Sequence, residues 1–157
     1  MKILVFSDSH GYYNRILRIL EKHENVDMCI HCGDIVSDCT ALEALLDIKL
    51  LYVRGNNDSG SSVPTELETE ICGKKIFITH GHTYGVKAGT DNLRKKIKEG
   101  IDLVLYGHTH IPDTMYFGGG ILLNPGAICH MSKCTYAIVT IENGVINTSI
   151  ELYTGTL

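Results

Sequence analysis

Five apolar segments of this sequence each run directly into a short cluster of polar side chains, and this repeated pairing constrains the fold more than any other feature. The clusters combine aspartate, asparagine and histidine with glycine, and they occupy residues 7–10, 33–34, 55–58, 80–82 and 107–110. In open α/β sheets the carboxyl ends of the strands form the ligand crevice. We therefore predict that the five clusters meet at one edge of the fold.

The first half of the chain alternates between strand and helix patterns. Apolar runs predict strands over residues 2–6, 27–32 and 50–53, and apolar residues at helical spacing predict helices over residues 12–24 and 40–48. This alternation favours a parallel sheet with crossover helices.

The second half has the pattern of an antiparallel sheet. It predicts one helix over residues 90–98, and strands over residues 68–72, 75–79, 103–106, 114–117, 121–123, 136–141 and 145–152. The sequence shows no repeat or linker, and 157 residues fit one domain. We predict an α/β fold in a single domain, residues 1–157, in which a parallel-rich and an antiparallel-rich sheet pack together with helices outside.

Charge and hydropathy exclude several classes of protein. The formal net charge of −4 gives no electrostatic case for a nucleic-acid partner, and the compact basic run at residues 95–98 is predicted to be a solvated helix face. The sequence has no apolar segment long enough to span a bilayer, and its N-terminal apolar run is too short for a signal peptide. These features predict a cytoplasmic protein without a membrane partner.

The six cysteines allow a disulfide or a zinc interpretation, but the pattern favours neither. Cys29 and Cys32 have C-x-x-C spacing without a second pair downstream. They fall in a predicted strand, where residues i and i+3 point to opposite faces. Without a secretory signal, disulfides are not expected. We predict buried free thiols.

The polar clusters together indicate a metal site. One aspartate after a glycine is ordinarily a helix cap or turn residue, but five such clusters at strand ends need another explanation. A mixed set of carboxylate, amide and imidazole ligands suits Mn, Fe, Ni or Zn. Seven ligands exceed what one ion with an open position can use, so we predict two ions about 3.5–4 Å apart, bridged by Asp34.

These motifs resemble those of the calcineurin-like metallophosphoesterases. The matching residues are Asp8-x-His10, Gly33-Asp34, Gly55-Asn56-x-Asp58, His80-Gly81-His82 and Gly107-His108-x-His110. The small size and the Asn124-Pro125-Gly126 loop point to the compact bacterial and archaeal phosphodiesterase branch. The resemblance covers nearly the whole chain and implies a four-layer α/β/β/α sandwich of two mixed sheets flanked by helices.

The resemblance also implies a role for each ligand and a mechanism. Asp8, His10, Asp34 and His110 would bind one metal, and Asp34, Asn56, His80 and His108 would bind the other. Mn²⁺ is the expected ion, with Ni²⁺, Fe²⁺ or Zn²⁺ as alternatives. The implied reaction is hydrolysis of a small phosphodiester by in-line attack of a hydroxide bridging the two metals.

Asn57 departs from the family pattern. In the superfamily this position is commonly a histidine thought to contact the phosphate and to help protonate the leaving group, and in the compact branch it is often cysteine. An amide can donate a hydrogen bond to a phosphoryl oxygen but cannot deliver a proton near neutral pH. We therefore expect slow hydrolysis of esters with poor leaving groups.

Two more residues complete the candidate catalytic set. His82 follows His80 by two positions, so on an extended strand end both side chains would share a face. His82 is then either a substitute proton donor or a histidine that supports the ligands. Asp58 is expected to form hydrogen bonds within its loop rather than to bind metal.

Three other polar residues keep open roles at this stage. Arg54 pairs either with the substrate phosphate or with Asp58, and the salt bridge is the favoured alternative. His31 has no motif role. His130 follows the Asn124-Pro125-Gly126 loop and is a candidate for the rim of the pocket.

Several functions compatible with the sequence remain open. The alternatives to a phosphodiesterase are a phosphomonoesterase, a metal-binding regulator without turnover, and a non-catalytic docking scaffold of the same fold, such as the one in the retromer coat. Every ligand position is filled by a competent residue, which favours an enzyme. The resemblance also suggests a homodimer or higher oligomer.

Overall fold

A computed structural model describes residues 1–129 and 133–155. His130 lies outside the described residues. The described part contains ten strands and three α-helices. In chain order they are β1 (Lys2–Phe6), α1 (Tyr13–Lys22), β2 (Met28–His31), α2 (Val36–Leu45), β3 (Lys49–Tyr52), β4 (Glu66–Ile71), β5 (Lys74–Thr79), α3 (Asp91–Lys98), β6 (Leu103–Leu105), β7 (Asp113–Phe117), β8 (Gly120–Asn124), β9 (Thr135–Glu142) and β10 (Val145–Leu152). Across this part of the chain, no helix is long and apolar enough to cross a membrane.

The strands form two five-stranded mixed sheets. The first has the order β10-β9-β1-β2-β3, in which β1, β2 and β3 are parallel and the β9–β10 hairpin is antiparallel. The second has the order β4-β5-β6-β8-β7, in which β5, β6 and β8 are parallel and both edge strands are antiparallel. Each sheet therefore contributes three parallel strands whose carboxyl ends can supply a site.

Three apolar clusters define the layers. The inner faces of the two sheets pack on each other, with Ile3, Val5 and Ile30 on one side and Ile78 and Leu105 on the other. The outer face of the first sheet packs against α1 and α2, and that of the second packs against α3. The predicted four-layer α/β/β/α sandwich is confirmed. The expected division into a parallel-rich and an antiparallel-rich sheet was wrong, because β9 and β10 join the first sheet and β5, β6 and β8 are parallel in the second.

The bounds of the second helix differ from the prediction. The pattern predicted residues 40–48, whereas α2 begins at Val36 and ends at Leu45. The Val36 backbone N–H donates a 2.7 Å hydrogen bond to Asp58 Oδ1, so the start of the helix is satisfied by a residue 22 positions away in the chain. The spacing of apolar residues in the helix cannot reveal this hydrogen bond, because its acceptor lies outside the helix.

All six cysteines are free, as predicted, and five of them are buried. The expectation of burial was wrong for Cys72, which is exposed in the turn between β4 and β5. Cys29 lies on the outer face of the first sheet with the helices, and Cys32 belongs to the cluster between the sheets, so the two thiols point to opposite faces. Burial raises the pKa of Cys29 to about 12 and that of Cys32 further still, so neither is a thiolate at neutral pH.

Candidate metal centre

The five polar clusters follow the carboxyl ends of five parallel strands, β1, β2, β3, β5 and β6. Three of these strands belong to the first sheet and two to the second. Because the sheets pack face to face, the clusters meet across the gap between them. The structure thus brings the predicted ligand positions together.

Glycines allow this close approach. A Cβ atom on Gly55 would overlap the Asp34 carboxylate, and one on Gly107 would overlap the Ser7 hydroxyl and lie 2.8 Å from Asp8 Oδ2. At Gly33 a Cβ atom would lie 2.9 Å from His80 Nδ1. The glycines in these motifs are needed because side chains of neighbouring clusters occupy the space beside them.

The backbone of the ligands themselves is unusual. Five of the seven candidate ligands have positive φ angles: Asp8 (53°), His10 (43°), Asp34 (50°), His108 (68°) and His110 (60°). Non-glycine residues rarely adopt this left-handed region, and the exceptions gather at functional sites. The concentration of such residues here supports a functional role for the cluster.

Asp8 is fully buried at the centre of the cluster. Its Oδ2 accepts hydrogen bonds from the Ser7 hydroxyl (2.6 Å) and from the His108 backbone N–H (3.0 Å). Its Oδ1 has no well-aligned hydrogen-bond donor among the described residues, although His110 Nε2 approaches to 3.0 Å. A buried carboxylate oxygen without a hydrogen-bond donor is a suitable ligand for a cation, which would compensate its negative charge.

Asp34 lies between His10 and His80. Its Oδ2 is 4.0 Å from His10 Nε2 and 3.5 Å from His80 Nε2. Asp8 Oδ1 is also close to both histidines, at 3.9 Å from each. Either carboxylate can therefore share a metal ion with His10 or with His80.

His80 shows how a neutral imidazole is oriented toward this centre. Its Nδ1 lies 2.9 Å from the Cys32 carbonyl oxygen, which can only accept, so Nδ1 carries the proton and Nε2 offers a lone pair. That Nε2 faces Asn56 Oδ1 at 3.1 Å and His108 Nδ1 at 3.2 Å. A cation among these donor atoms satisfies their lone pairs together.

Two overlapping groups of donor atoms are close enough to bind metal. One consists of Asp8, His10 and His110, and the other of Asp8, Asp34 and His80, with all donor atoms of a group within 4.8 Å of one another. Asn56 and His108 adjoin the second group through His80. The mixed oxygen and imidazole donors fit a divalent first-row metal.

The pKa shifts of Asp8 and His108 favour metal-binding protonation states, and that of His110 does not. Burial would raise the pKa of Asp8, but the 3.0 Å approach of His110 Nε2, the neighbouring His80 and the Ser7 hydrogen bond hold it below its ordinary value. Burial and the neighbouring His80 lower the pKa of His108. The close approach of Asp8 raises the pKa of His110, so bound metal and the His110 proton compete for one nitrogen.

His82 reaches the site by a different route from the predicted one. The chain is not extended after β5, because Gly81 has a φ of 98° and His82 begins a short 3₁₀ helix, His82–Tyr84. The expectation of a shared strand face was wrong, but the turn still brings the His82 ring to 5.4 Å from the His80 ring. Its buried Nδ1 has no hydrogen-bond partner among the described residues, and burial lowers its pKa.

Asn57 and Asp58 support the ligands from the same turn. The Asn57 side-chain amide donates to Asp34 Oδ2 (2.7 Å), and its backbone N–H donates to Asp34 Oδ1 (3.1 Å). Asp58 uses one carboxylate oxygen for the start of α2 and the other for the Gly55 N–H (2.7 Å). Asp58 therefore forms hydrogen bonds within its loop and with α2.

The expected salt bridge of Arg54 is absent from the described residues. Its guanidinium donates to the Ser61 carbonyl oxygen at 3.1 Å, while both Asp58 oxygens are occupied by backbone N–H groups. The positive charge of Arg54 lies close enough to His82 to contribute to the lowering of its pKa. Of the two predicted alternatives, the contact with Asp58 was wrong.

His31 has a structural role that its sequence context did not reveal. It is fully buried, and its Nδ1 accepts a hydrogen bond from the Gly33 N–H at 3.2 Å, so Nε2 carries the proton and donates to Ser9 Oγ at 3.1 Å. The Ser9 hydroxyl in turn donates to Asp38 Oδ2 at 2.6 Å. This chain links the loops after β1 and β2, and burial lowers the pKa of His31 to about 4.

Asn124 is a further positioning residue. It ends β8 and is fully buried, and its Nδ2 donates to the Gly107 carbonyl oxygen and to Thr109 Oγ1, both at 3.0 Å. The loop that carries His108 and His110 is thereby fixed from the neighbouring strand. The sequence analysis used the Asn124-Pro125-Gly126 loop only as a mark of the compact branch, and the positioning role of Asn124 was missed because its hydrogen-bond partners cannot be read from the sequence.

We predict that His31→Gln flattens the decline of stability in acid. The folded-state pKa of His31, about 4, lies below the ordinary value of 6.5, so the unfolded chain binds a proton that the folded chain does not between these pH values. Stability of the wild type should therefore fall as pH falls through this window. Urea unfolding of metal-stripped protein at several pH values measures the effect, with Val145→Ser, an exposed change that involves no titratable group, as the control. Equal slopes for wild type and His31→Gln would contradict it.

The comparison with known proteins agrees with this geometry. Residues 1–144 match the family model of the calcineurin-like phosphoesterase superfamily domain. The chain is 35% identical over 149 residues to the Probable metallophosphoesterase YsnB of Bacillus subtilis, covering 91% of this chain and 86% of that protein. It is 34% identical over 147 residues to the phosphodiesterase MJ0936 of Methanocaldococcus jannaschii, covering 82% and 85%. A solved structure from Streptococcus pneumoniae, described as a predicted phosphoesterase, has a TM-score of 0.80 at 30% identity, covering 98% of this chain and 93% of that one. The chain belongs to the calcineurin-like phosphoesterase superfamily.

Proposed function

We propose that this protein is a metal-dependent phosphodiesterase with a dinuclear centre. The observation that carries the proposal is the pair of overlapping donor groups around the buried Asp8 and Asp34 carboxylates. The M. jannaschii relative is named a phosphodiesterase, which supports the same reaction class. The proposed ligands are the seven side chains at the strand ends, namely Asp8, His10, Asp34, Asn56, His80, His108 and His110.

The protein side chains prepare this centre before any substrate arrives. Two bound divalent ions, with Mn²⁺ as the expected metal, would supply a hydroxide at neutral pH and neutralise charge on the phosphoryl oxygens. His80 presents an unprotonated Nε2 because the Cys32 carbonyl fixes its tautomer. Asn57 orients the Asp34 carboxylate. We keep Asp34 as the proposed bridging ligand because its Oδ2 lies within 4.0 Å of both His10 Nε2 and His80 Nε2, although Asp8 is the residue that the two donor groups share.

The groups around the centre favour substrates whose leaving group departs easily. The lowered pKa of His82 leaves it neutral at physiological pH, so it is a poor proton donor. Asn57 cannot deliver a proton, and its amide donates to Asp34. Arg54 brings positive charge to the His82 side, where it can attract the anionic phosphate.

A docking scaffold of the same fold is the second candidate that the sequence left open. Here all seven ligand positions retain metal-binding side chains, and the donor atoms of His80 and Asp34 approach within 3.5 Å. The preserved chemistry supports catalysis.

We predict that Asp34→Asn removes both metal binding and turnover. The substitution takes one negative charge from the assigned bridging position, so the two ions are no longer held together. The test is hydrolysis of bis(p-nitrophenyl) phosphate and p-nitrophenyl phosphate by metal-stripped protein after Mn²⁺ is added back, with metal content measured in parallel. Asp47→Asn, at an exposed position, is the matched control.

The outcomes of this test separate the candidates. Metal-dependent turnover that prefers the diester and disappears in Asp34→Asn supports the proposal, and a preference for the monoester replaces it with a phosphomonoesterase. Stoichiometric metal binding by the wild type without turnover for any first-row metal favours a scaffold or regulator. Full metal content and activity in Asp34→Asn would remove Asp34 from the centre.

We also predict that Asn57→His accelerates hydrolysis of alkyl esters more than that of activated aryl esters. A histidine at this position can donate a proton to a poor leaving group, whereas p-nitrophenolate departs without one. The measurement compares kcat for methyl p-nitrophenyl phosphate with kcat for a dialkyl phosphate in both proteins. Asn57→Gln, which retains an amide, is the control. An equal change on both substrates would reject the explanation.

A further inference from the structure

A pocket of about 420 Å³ is lined by residues that follow β5 and β6, the two strands of the second sheet that lead into candidate metal ligands. Thr109, which lies between His108 and His110 in the chain, forms part of its wall. Its remaining lining residues come from the loop after the 3₁₀ helix and from the segment that leads into β7: Val86, Lys87, Thr90, Tyr106, Ile111, Pro112 and Asp113. Its size is in the range of small-molecule sites.

The walls of the pocket are mainly apolar and its rim is polar. Val86 and Tyr106 are buried at its base, while the Ile111 side chain is 67% exposed. The exposed apolar surface of a large aliphatic side chain is unfavourable in water. Burying that surface against an apolar group of a ligand in the pocket is therefore favourable.

Lys87 adds a positive charge to the pocket. It is exposed, and it lines the pocket together with Thr109, the residue between His108 and His110 in the chain. A cationic side chain in this place attracts an anion bound beside that loop. A substrate that carries a negative charge and an apolar group therefore fits the two regions together.

The pocket is held in shape by contacts of its own walls. Val86 packs against Gly81, where an added Cβ atom would lie 2.9 Å from Val86 Cγ2. Thr109 accepts a hydrogen bond from Asn124. Because both sides are fixed, the pocket needs little reorganisation to bind a ligand.

We propose that this pocket binds one ester substituent of the phosphodiester, and that it selects a planar ring of aryl or nucleobase size over a short alkyl group. The inference rests on the proposed function, since it places the phosphoryl group at the candidate metal centre. Ile111 and Val86 contact the ring, and Lys87 attracts the anionic diester into the cleft. The residues are specificity-determining and take no part in bond breaking.

The test measures binding separately from turnover. Calorimetry with Mn²⁺-loaded protein compares phenylphosphonate, which cannot be hydrolysed, with methylphosphonate. We expect phenylphosphonate to bind about tenfold more tightly, and Ile111→Ser to abolish this preference. Val145→Ser, which alters another exposed aliphatic residue outside this pocket, should retain it. Lys87→Ala should weaken both ligands equally, and the control Lys95→Ala should weaken neither.

Kinetics provide the second readout. Ile111→Ser should raise KM for bis(p-nitrophenyl) phosphate about tenfold while changing kcat little. Equal affinity of the wild type for both phosphonates, or a ring preference that survives Ile111→Ser, would overturn the subsite. A ring preference without hydrolysis would contradict the proposed phosphodiesterase activity and support the ring-binding pocket. Hydrolysis without a ring preference would support the phosphodiesterase activity and contradict the ring-binding pocket.

Discussion

The buried carboxylate of Asp8 is the interaction on which the arrangement of the site depends. It lies two residues after β1, the central strand of the first sheet, and it accepts a hydrogen bond from the backbone of His108, in the loop that follows β6 of the second sheet. A carboxylate without water must be compensated by donors and positive charge. That requirement explains why the loops from both sheets turn toward this point, and why Gly107 has no side chain.

A second set of polar residues holds the loops without touching the centre directly. Asp58 secures the start of α2, and Asp38 accepts hydrogen bonds from Ser9 and from the Gly11 backbone. Asn124 secures the loop after β6. Such supporting contacts hold ligands within the narrow tolerances that metal chemistry requires. The geometry of the site therefore depends on the hydrogen bonds that fix its loops as well as on the candidate ligands themselves.

The sequence was informative where chemistry is local and repeated. Strands β1 and β10 have the predicted bounds, since alternation and turn residues are properties of short segments. The convergence of the candidate ligands could be predicted because each of them follows a strand whose carboxyl end lies at the same edge of the fold. The start of α2 and the role of His31 were not, because both depend on hydrogen bonds between residues far apart in the chain. The left-handed Gly81 likewise redirected His82 in a way that residue spacing cannot show.

The distance along the chain between Asp8 and His108 has a consequence for how the protein matures. Their hydrogen bond joins residues 100 positions apart, and it cannot form until both sheets are built and packed. Closing so long a loop is entropically costly, so contacts of this kind form late in folding. The complete set of candidate ligands therefore exists only in a chain whose two sheets have packed together. No single peptide segment presents this set, because it draws on loops from both sheets.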